Sequence, residues 1–189
     1  MPPATRTLYL VRHGQYVAAG EDVIEALTPL GRRQALRLGK RLQAVEFSTV
    51  WHSDAPRAIE TAEILGDFLP GVELNASRLL REGIPSVAPH FAPAFRRPRA
   101  QVQETRQRMD RAFERFVRPS RQDRKELIVA HGNIIRYLVR RALDDAAQRW
   151  WQLDILQCGL SIIRVTKQRR VLVSFNDAGH LPLKLQTFL

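Results

Sequence analysis

The chain has 189 residues, of which 44% are hydrophobic, a composition typical of a globular domain with a sizeable core. Its one cysteine, Cys158, excludes an intrachain disulfide and offers no basis for a CxxC metal site. The formal net charge is +11, and the basic residues are 26 arginines and four lysines. Such a surface could bind phosphates or another polyanion, but solvated helix faces give the same composition, so charge alone assigns no partner.

Hydrophobic patterning in the first half of the chain predicts strands that alternate with helices. The helix after residue 27 has the clearest start, because Thr28 is a good N-cap and Pro29 suits the first helical position. In chain order, the predicted elements are a strand over 7–11, a helix from Pro29 with apolar positions recurring to Val45, a strand over 48–52, a helix over 56–68 and a short extended piece over 72–75.

The second half continues this alternation and then ends in a hairpin. The predicted elements are a helix over 99–117, a strand over 126–130, a helix over 133–143, and strands over 160–166 and 171–175. Residues 84–100 are rich in proline and look irregular, either a loop over a functional site or an ordinary surface excursion. We therefore predict one domain, 1–189, with a three-layer α/β/α sandwich around a mainly parallel sheet.

Two of the predicted strands each end in a histidine followed by a glycine. Arg-His-Gly at 12–14 follows the first strand, and His-Gly-Asn at 131–133 follows the strand over 126–130. Because ligand sites in open α/β sheets lie at the carboxyl ends of the strands, we expect both histidines at one edge of the sheet.

Arg57 belongs to the same predicted cluster, because it lies in the first turn of the helix that follows the strand ending near Ser53. Two arginines and two histidines in one pocket repel one another unless an anion neutralises them. A phosphoryl group fits best, since arginine binds its oxygens in bidentate fashion and the helix that opens at Gly132 supplies free amides. A neutral imidazole is a good nucleophile near pH 7.

The sequence resembles the histidine phosphatase superfamily, also called the phosphoglycerate-mutase-like family. The resemblance covers nearly the whole chain and rests on four blocks in the expected order. They are LYLVRHG (8–14), SDAPRAIETA (53–62), LLREG (79–83) and VAHGNIIR (129–136). Two further blocks, LTPLGRRQA (27–35) and NDAGHLP (176–182), are similar to the mitochondrial serine/threonine protein phosphatases of this superfamily. Those phosphatases carry an N-terminal membrane segment, which we do not expect in this protein.

The resemblance implies a role for each residue of the cluster. His13 is the expected nucleophile, forming a phosphohistidine, while Arg12, Arg57 and His131 hold the phosphate oxygens. Glu82 is the expected general acid, which then activates the hydrolytic water. Four neighbours are expected around the phosphate, Gly14, Gln15, Gly132 and Asn133. No metal and no cofactor are expected.

The resemblance favours hydrolysis of phosphoserine or phosphothreonine in proteins or peptides. The alternatives are a broad small-metabolite phosphatase and a mutase of the phosphoglycerate type. A non-enzymatic basic scaffold or nucleic-acid-binding protein on the same fold is the alternative from a different class, and the intact catalytic set argues against it.

Other features of the sequence leave their roles open. His52, His90 and His180 are not assigned to the pocket by any motif. Trp150 and Trp151 suit either the core or a contact between copies of the chain, so a homo-oligomer stays open. We expect a cytoplasmic protein without a membrane span, a signal peptide or a specific nucleic-acid partner.

Overall fold

The computed structural model describes residues 3–17, 26–87, 97–143 and 147–188. Across these residues the main elements follow the predicted order. They are β1 (Arg6–Arg12), α1 (Pro29–Leu42), β2 (Thr49–His52), α2 (Pro56–Gly66), β3 (Leu74–Ala76), α3 (Arg99–Phe116), β4 (Arg124–Ala130), α4 (Gly132–Ala142), β5 (Leu160–Val165) and β6 (Arg170–Asp177). Short 3₁₀ helices cover Arg78–Leu80, Ala147–Gln152 and Leu183–Leu185.

The strands form one sheet in the order β3-β2-β4-β1-β5-β6. The pairs β3-β2, β2-β4 and β4-β1 are parallel, and β5 runs antiparallel to both β1 and β6. Among the described strands, β5 is thus the one that runs against the others. The prediction of a mainly parallel sheet is confirmed.

Alternate residues of the central strands pack on opposite faces of this sheet. Leu8 and Leu10 of β1 join a core formed with α3 and α4, whereas Val11 joins a second core formed with α1 and α2. The neighbouring strand β4 divides in the same way, with Ile128 in the first core and Leu127 in the second. Both faces are covered by helices, which explains the continuous apolar runs and gives the three-layer sandwich.

The predicted helix boundaries agree with the structure to within a few residues. The Thr28 hydroxyl accepts a hydrogen bond from the Gly31 amide (3.0 Å), as expected of an N-cap. Helix α1 ends at Leu42, so Val45 lies in the following turn, contrary to its predicted helical position. Of the irregular segment 84–100, residues 84–87 have no regular structure, 99–100 begin α3, and 88–96 lie outside the described residues.

The loop after β1 passes very close to the first turn of α1. A Cβ on Gly14 would lie 2.7 Å from the Gly31 carbonyl oxygen, and a Cβ on Gly31 would lie 2.0 Å from the Gln15 carbonyl oxygen. Both obstacles are backbone atoms, which cannot rotate away. Glycine at these two positions therefore lets α1 start directly beside the residues that follow β1.

Replacement of Gly31 with alanine is expected to lower the free energy of unfolding by about 3 kcal/mol, because the methyl group overlaps backbone. Urea unfolding followed by circular dichroism measures this. Gly66→Ala is the matched control, since its Cβ would meet only the Leu74 side chain, at 3.4 Å. Equal stability of the two variants would contradict the predicted overlap at Gly31.

Candidate active site

The carboxyl ends of β1, β4 and β2 are aligned at one edge of the sheet. Arg12 is in register with Ala130, and the ladder continues one residue further, where the His13 amide donates to the Ala130 carbonyl (2.9 Å). On the other side of β4, the Ser53 amide donates to the Val129 carbonyl (3.0 Å). His13, His131 and Ser53 therefore leave three neighbouring strands at the same level.

The two strand-end histidines lie face to edge in the interior. The His13 and His131 ring centroids are 5.0 Å apart, and both residues are almost completely buried. The His131 Nε2 atom is 2.9 Å from the Ser53 hydroxyl. The His131 Nδ1 atom is buried and has no hydrogen-bond partner among the described residues. This ring thus retains one atom for an incoming polar group.

Hydrogen bonds define which nitrogen of His13 carries the proton. The Arg57 Nε group lies 3.2 Å from His13 Nε2, and a guanidinium can only donate, so Nε2 must be the acceptor. The proton is then on Nδ1, which donates to the Gly14 carbonyl (2.8 Å). His13 therefore directs the lone pair of Nε2 toward the guanidinium of Arg57, so an anion that binds this guanidinium in place of the hydrogen bond lies beside the nucleophilic atom.

Burial and nearby cations keep both imidazoles neutral. Burial, followed by the charges of Arg57 and Arg12, lowers the pKa of His13 to about 3. Burial also lowers the pKa of His131 well below its ordinary value, and the neighbouring His13 and the same arginines add to this effect. His13 consequently remains an unprotonated nucleophile throughout the physiological pH range.

Arg57 is fixed from two directions in the first turn of α2. Its guanidinium lies 4.6 Å from the centre of the Tyr16 ring, and this ring contacts His13 edge-on at a centroid distance of 5.2 Å. The Thr61 hydroxyl donates to the Arg57 carbonyl (2.6 Å) and accepts from the Gly14 amide (3.1 Å). One hydroxyl thus ties the start of α2 to the loop that carries the nucleophile.

Arg12 is oriented by backbone carbonyls. Its Nη1 atom donates to the carbonyls of Ile155 (2.6 Å) and Phe188 (2.9 Å), while its buried Nε atom has no hydrogen-bond partner among the described residues. Carbonyl dipoles hold the guanidinium in place without cancelling its charge. The pocket therefore presents a fixed, buried cation beside the histidines, which favours an anionic ligand.

Glu82 is the carboxyl group of this edge. Its Oε1 atom accepts from the Gly83 amide (3.0 Å) and its Oε2 atom accepts from the Asn133 amide at the start of α4 (3.2 Å). Burial raises its pKa, although these two amides and the charges of Arg12 and Arg57 act in the opposite direction. A carboxyl with a raised pKa keeps its proton to a higher pH than an ordinary glutamate, which suits a general acid.

The segment that carries Glu82 is held from α3 by Arg108, a residue that the sequence analysis did not single out. Arg108 donates to the carbonyls of Leu79 (3.2 Å), Arg81 (2.5 Å) and Glu82 (2.9 Å). Ser53 and Tyr16 were also missed. Ser53 opens the matched SDAPRAIETA block, so that block was the available signal, whereas no local pattern distinguishes Arg108 from the other arginines of α3.

The side chains of two predicted phosphate neighbours make hydrogen bonds within the protein. The Gln15 side-chain oxygen accepts from the Thr28 hydroxyl (2.7 Å), which connects it to the N-cap of α1. The Asn133 side-chain amide donates to the Gly83 carbonyl (3.0 Å), which connects α4 to the Glu82 segment. Gly132 begins α4 beside Arg12, and the Gly14 carbonyl accepts the hydrogen bond from His13 Nδ1.

Of the other three histidines, the structure describes His52 and His180. His52 bonds to the Ser53 carbonyl (2.9 Å), His180 lies 3.3 Å from the Arg41 guanidinium, and His90 lies outside the described residues. Cys158 is buried, and burial raises the pKa of its thiol. Within the described ranges, no group of three or more His, Cys, Asp or Glu side chains could hold a metal ion.

Comparison with known proteins agrees with this geometry. Residues 8–84 and 87–178 match the histidine phosphatase superfamily (branch 1), and the chain belongs to that family. It is thus a phosphatase of the class that uses a histidine nucleophile.

The proteins that the chain resembles include a phosphatase and a mutase. The chain is 35% identical to the mitochondrial serine/threonine-protein phosphatase PGAM5 of Xenopus tropicalis, over 96% of this chain and 68% of that protein. It resembles the structures of YhfR from Bacillus stearothermophilus (TM-score 0.72, 26% identity, 93% and 98% of the two chains) and of a phosphoglycerate mutase from Plasmodium falciparum (TM-score 0.65, 27% identity, 95% and 96%). In the described part of the chain, no helix has the length and hydrophobicity to span a bilayer.

Proposed function

We propose that the protein hydrolyses phosphoserine or phosphothreonine in proteins by way of a phosphohistidine on His13. The observation that carries the mechanism is the bond between Arg57 Nε and His13 Nε2, because the cation that holds a phosphate oxygen lies beside the attacking lone pair. His13 Nε2 forms the P–N bond in line with the ester oxygen as the P–O bond breaks. Glu82 donates its proton to the departing alcohol.

The second half of the cycle reverses the role of Glu82. Water attacks the phosphorus, Glu82 accepts a proton from that water, and the P–N bond breaks to restore neutral His13 and release inorganic phosphate. Arg12, Arg57 and His131 contact the nonbridging oxygens in both steps and stabilise the charge of the transition state. The protein class implies a phosphorylated substrate, and the chemistry requires only that its leaving group be an alcohol.

The protein substrate is supported by the relatives rather than by the pocket alone. The chain shares about a third of its residues with enzymes named as serine/threonine-protein phosphatases, over 96% of its own length in the case of Xenopus tropicalis. A small-metabolite phosphatase and a mutase use the same phosphohistidine, so they are the competing outcomes of an assay.

A substrate panel tests this proposal. Phosphoserine and phosphothreonine peptides are compared with sugar and glycerate phosphates by release of inorganic phosphate, with EDTA present because we predict no metal requirement. Highest kcat/KM for the peptides supports a protein phosphatase. Highest kcat/KM for a metabolite, or conversion between phosphoglycerate isomers without phosphate release, would refute it.

We also propose a cellular location and an assembly state. The relatives with 35% identity are named as mitochondrial, and the cytoplasmic location expected from the sequence is a proposal that fractionation of the source cells tests. A homo-oligomer and the absence of a specific nucleic-acid partner are likewise expectations. Sedimentation and a salt-dependent DNA-binding assay address them, since generic electrostatic binding disappears at moderate salt.

A further inference from the structure

A groove that the proposed mechanism does not use adjoins the active-site cleft. The groove has a volume of about 400 Å³ and is lined by Trp150 and Trp151 among others. The active-site cleft is represented here by a space of about 600 Å³ on the Glu82 side of the cluster, which is lined by Tyr16 and Glu82 among others. Ile84 and Asn133 line both spaces, so the two are neighbours across these residues.

The two tryptophans form the aromatic wall of the groove, whose lining also includes the polar residues Asn133, Gln152 and Asp154. Their rings meet edge to face with centroids 6.1 Å apart, and Trp150 is buried whereas Trp151 is only half-buried. The Trp150 Nε1 group donates to the Ser86 hydroxyl (3.2 Å), which attaches this wall to the segment that follows Glu82. The partly exposed ring of Trp151 is therefore held at a fixed place relative to the general acid.

The charged groups of the groove are paired with each other. Arg136 donates to Asp154 (2.5 Å), and its side chain is 17% exposed against 64% for Asp154. Arg136 also lies 3.4 Å from the Asn133 side-chain oxygen. Asp154 neutralises the charge of Arg136, and the Arg136 Nε atom is buried and therefore out of reach of a ligand, so the tryptophan wall determines what binds here. An apolar group suits this groove better than a phosphate or a carboxylate.

We propose that this groove binds a large apolar side chain of the phosphoprotein substrate, close in sequence to the phosphorylated residue. The inference rests on the protein phosphatase activity proposed above. The leaving oxygen must lie at Glu82, and a polypeptide that extends from there across Ile84 and Asn133 reaches Trp151. A small phosphomonoester would end inside the cleft and gain nothing from the groove.

A positional peptide scan tests this substrate preference. One phosphoserine peptide with alanine at every other position is compared with variants in which a single leucine moves from three residues before to three residues after the phosphoserine. We expect kcat/KM to rise about tenfold at one or two adjacent positions, since partial burial of a leucine supplies that much binding. A flat profile on peptides that are hydrolysed would overturn the inference and leave the protein phosphatase proposal intact.

Site-directed variants locate the effect. Trp151→Ala is expected to reduce the preference for the leucine peptide to about twofold or less. Val173→Ala, an exposed apolar residue on β6, is the matched control and should keep the tenfold preference. A preference that persists in Trp151→Ala would place the leucine elsewhere and refute the groove. If no phosphopeptide is hydrolysed while p-nitrophenyl phosphate is, the protein phosphatase proposal itself fails.

Binding to the intact fold provides a second measurement. In the His13→Ala variant, which we expect to bind without turnover, the leucine peptide should change tryptophan fluorescence and bind about tenfold more tightly than its alanine counterpart. The protein has three tryptophans, and two of them line the groove. Equal affinity of the two peptides would contradict the proposal even if Trp151→Ala failed to fold.

Discussion

His13→Ala is expected to lower kcat for phosphomonoester hydrolysis by about 10,000-fold, because the variant has no atom to accept the phosphoryl group. The fold should survive, since the lost contacts are local to the pocket. Phosphate release from p-nitrophenyl phosphate measures the loss. Rapid quenching with ³²P-labelled substrate should show an alkali-stable, acid-labile phosphoenzyme in the natural sequence and none in the variant.

His180→Ala is the matched control for this substitution. It removes the same ring from a site beside Arg41, so its activity should remain close to that of the natural sequence. The structure also contains a second buried imidazole, His131, whose Nδ1 atom has no hydrogen-bond partner among the described residues. Undiminished labelling in His13→Ala would assign the covalent step to that ring or to another residue and refute the proposed mechanism.

Glu82→Gln is expected to separate substrates by the quality of their leaving groups. The loss in kcat/KM should reach about 1,000-fold for a phosphoserine peptide, whose alkoxide must be protonated as it leaves. For p-nitrophenyl phosphate, whose phenolate is a weak base, it should stay within about tenfold, a limit set by the same reasoning. Steady-state kinetics on both substrates measures this difference.

The same variant should also reveal the second role of Glu82. If Glu82 activates the hydrolytic water, the amide slows breakdown of phosphohistidine, and p-nitrophenyl phosphate then gives a stoichiometric burst of nitrophenol before slow turnover. Glu63→Gln, an exposed glutamate of α2, controls for the loss of one negative charge. Equal losses on both substrates without a burst would make Glu82 a structural residue.

The natural enzyme should lose activity as pH rises, because only protonated Glu82 can act as the acid. Burial raises the pKa of this carboxyl, so the protonated fraction persists above the usual range and disappears as pH rises through the raised value. Protonation of His13 should not limit activity down to about pH 4, because its pKa is lowered to about 3. The alkaline limb of kcat/KM for phosphopeptides should therefore vanish in Glu82→Gln, which a pH–rate profile checks.

Local sequence patterns were enough to predict the elements of this fold. Thr28 and Pro29 define the start of α1 by hydrogen bonding and backbone geometry within one turn. The start of this helix could therefore be predicted from neighbouring residues alone. The end of α1 is different, because Val45 has helical spacing but lies in a turn, where it packs against the same core. The spacing of apolar residues indicates which side chains face the core. It cannot distinguish a helix from a turn that places its apolar side chain against the same core.

The site divides along similar lines. His13 and His131 could be predicted because each follows a buried strand directly, and parallel strands end at one edge. The bonds of Arg108 to the Glu82 segment join residues 26 or more positions apart, and α3 carries several arginines with no local difference between them. The side chains of Gln15 and Asn133 make hydrogen bonds to Thr28 and Gly83. These bonds depend on how a loop packs against a helix, which local sequence does not indicate.

Arg12 has a consequence for the balance between stability and turnover. Folding transfers its guanidinium out of water, and this burial lowers its pKa. The buried charge therefore lowers the free energy of unfolding as long as no anion is bound beside it. An anion that binds only the native state relieves this penalty and shifts the folding equilibrium in proportion to the logarithm of its concentration. Binding of substrate, phosphate product or an inert oxyanion thus stabilises the fold. A neutral residue in place of Arg12 would make the stability of the fold less dependent on a bound anion, at the cost of catalysis.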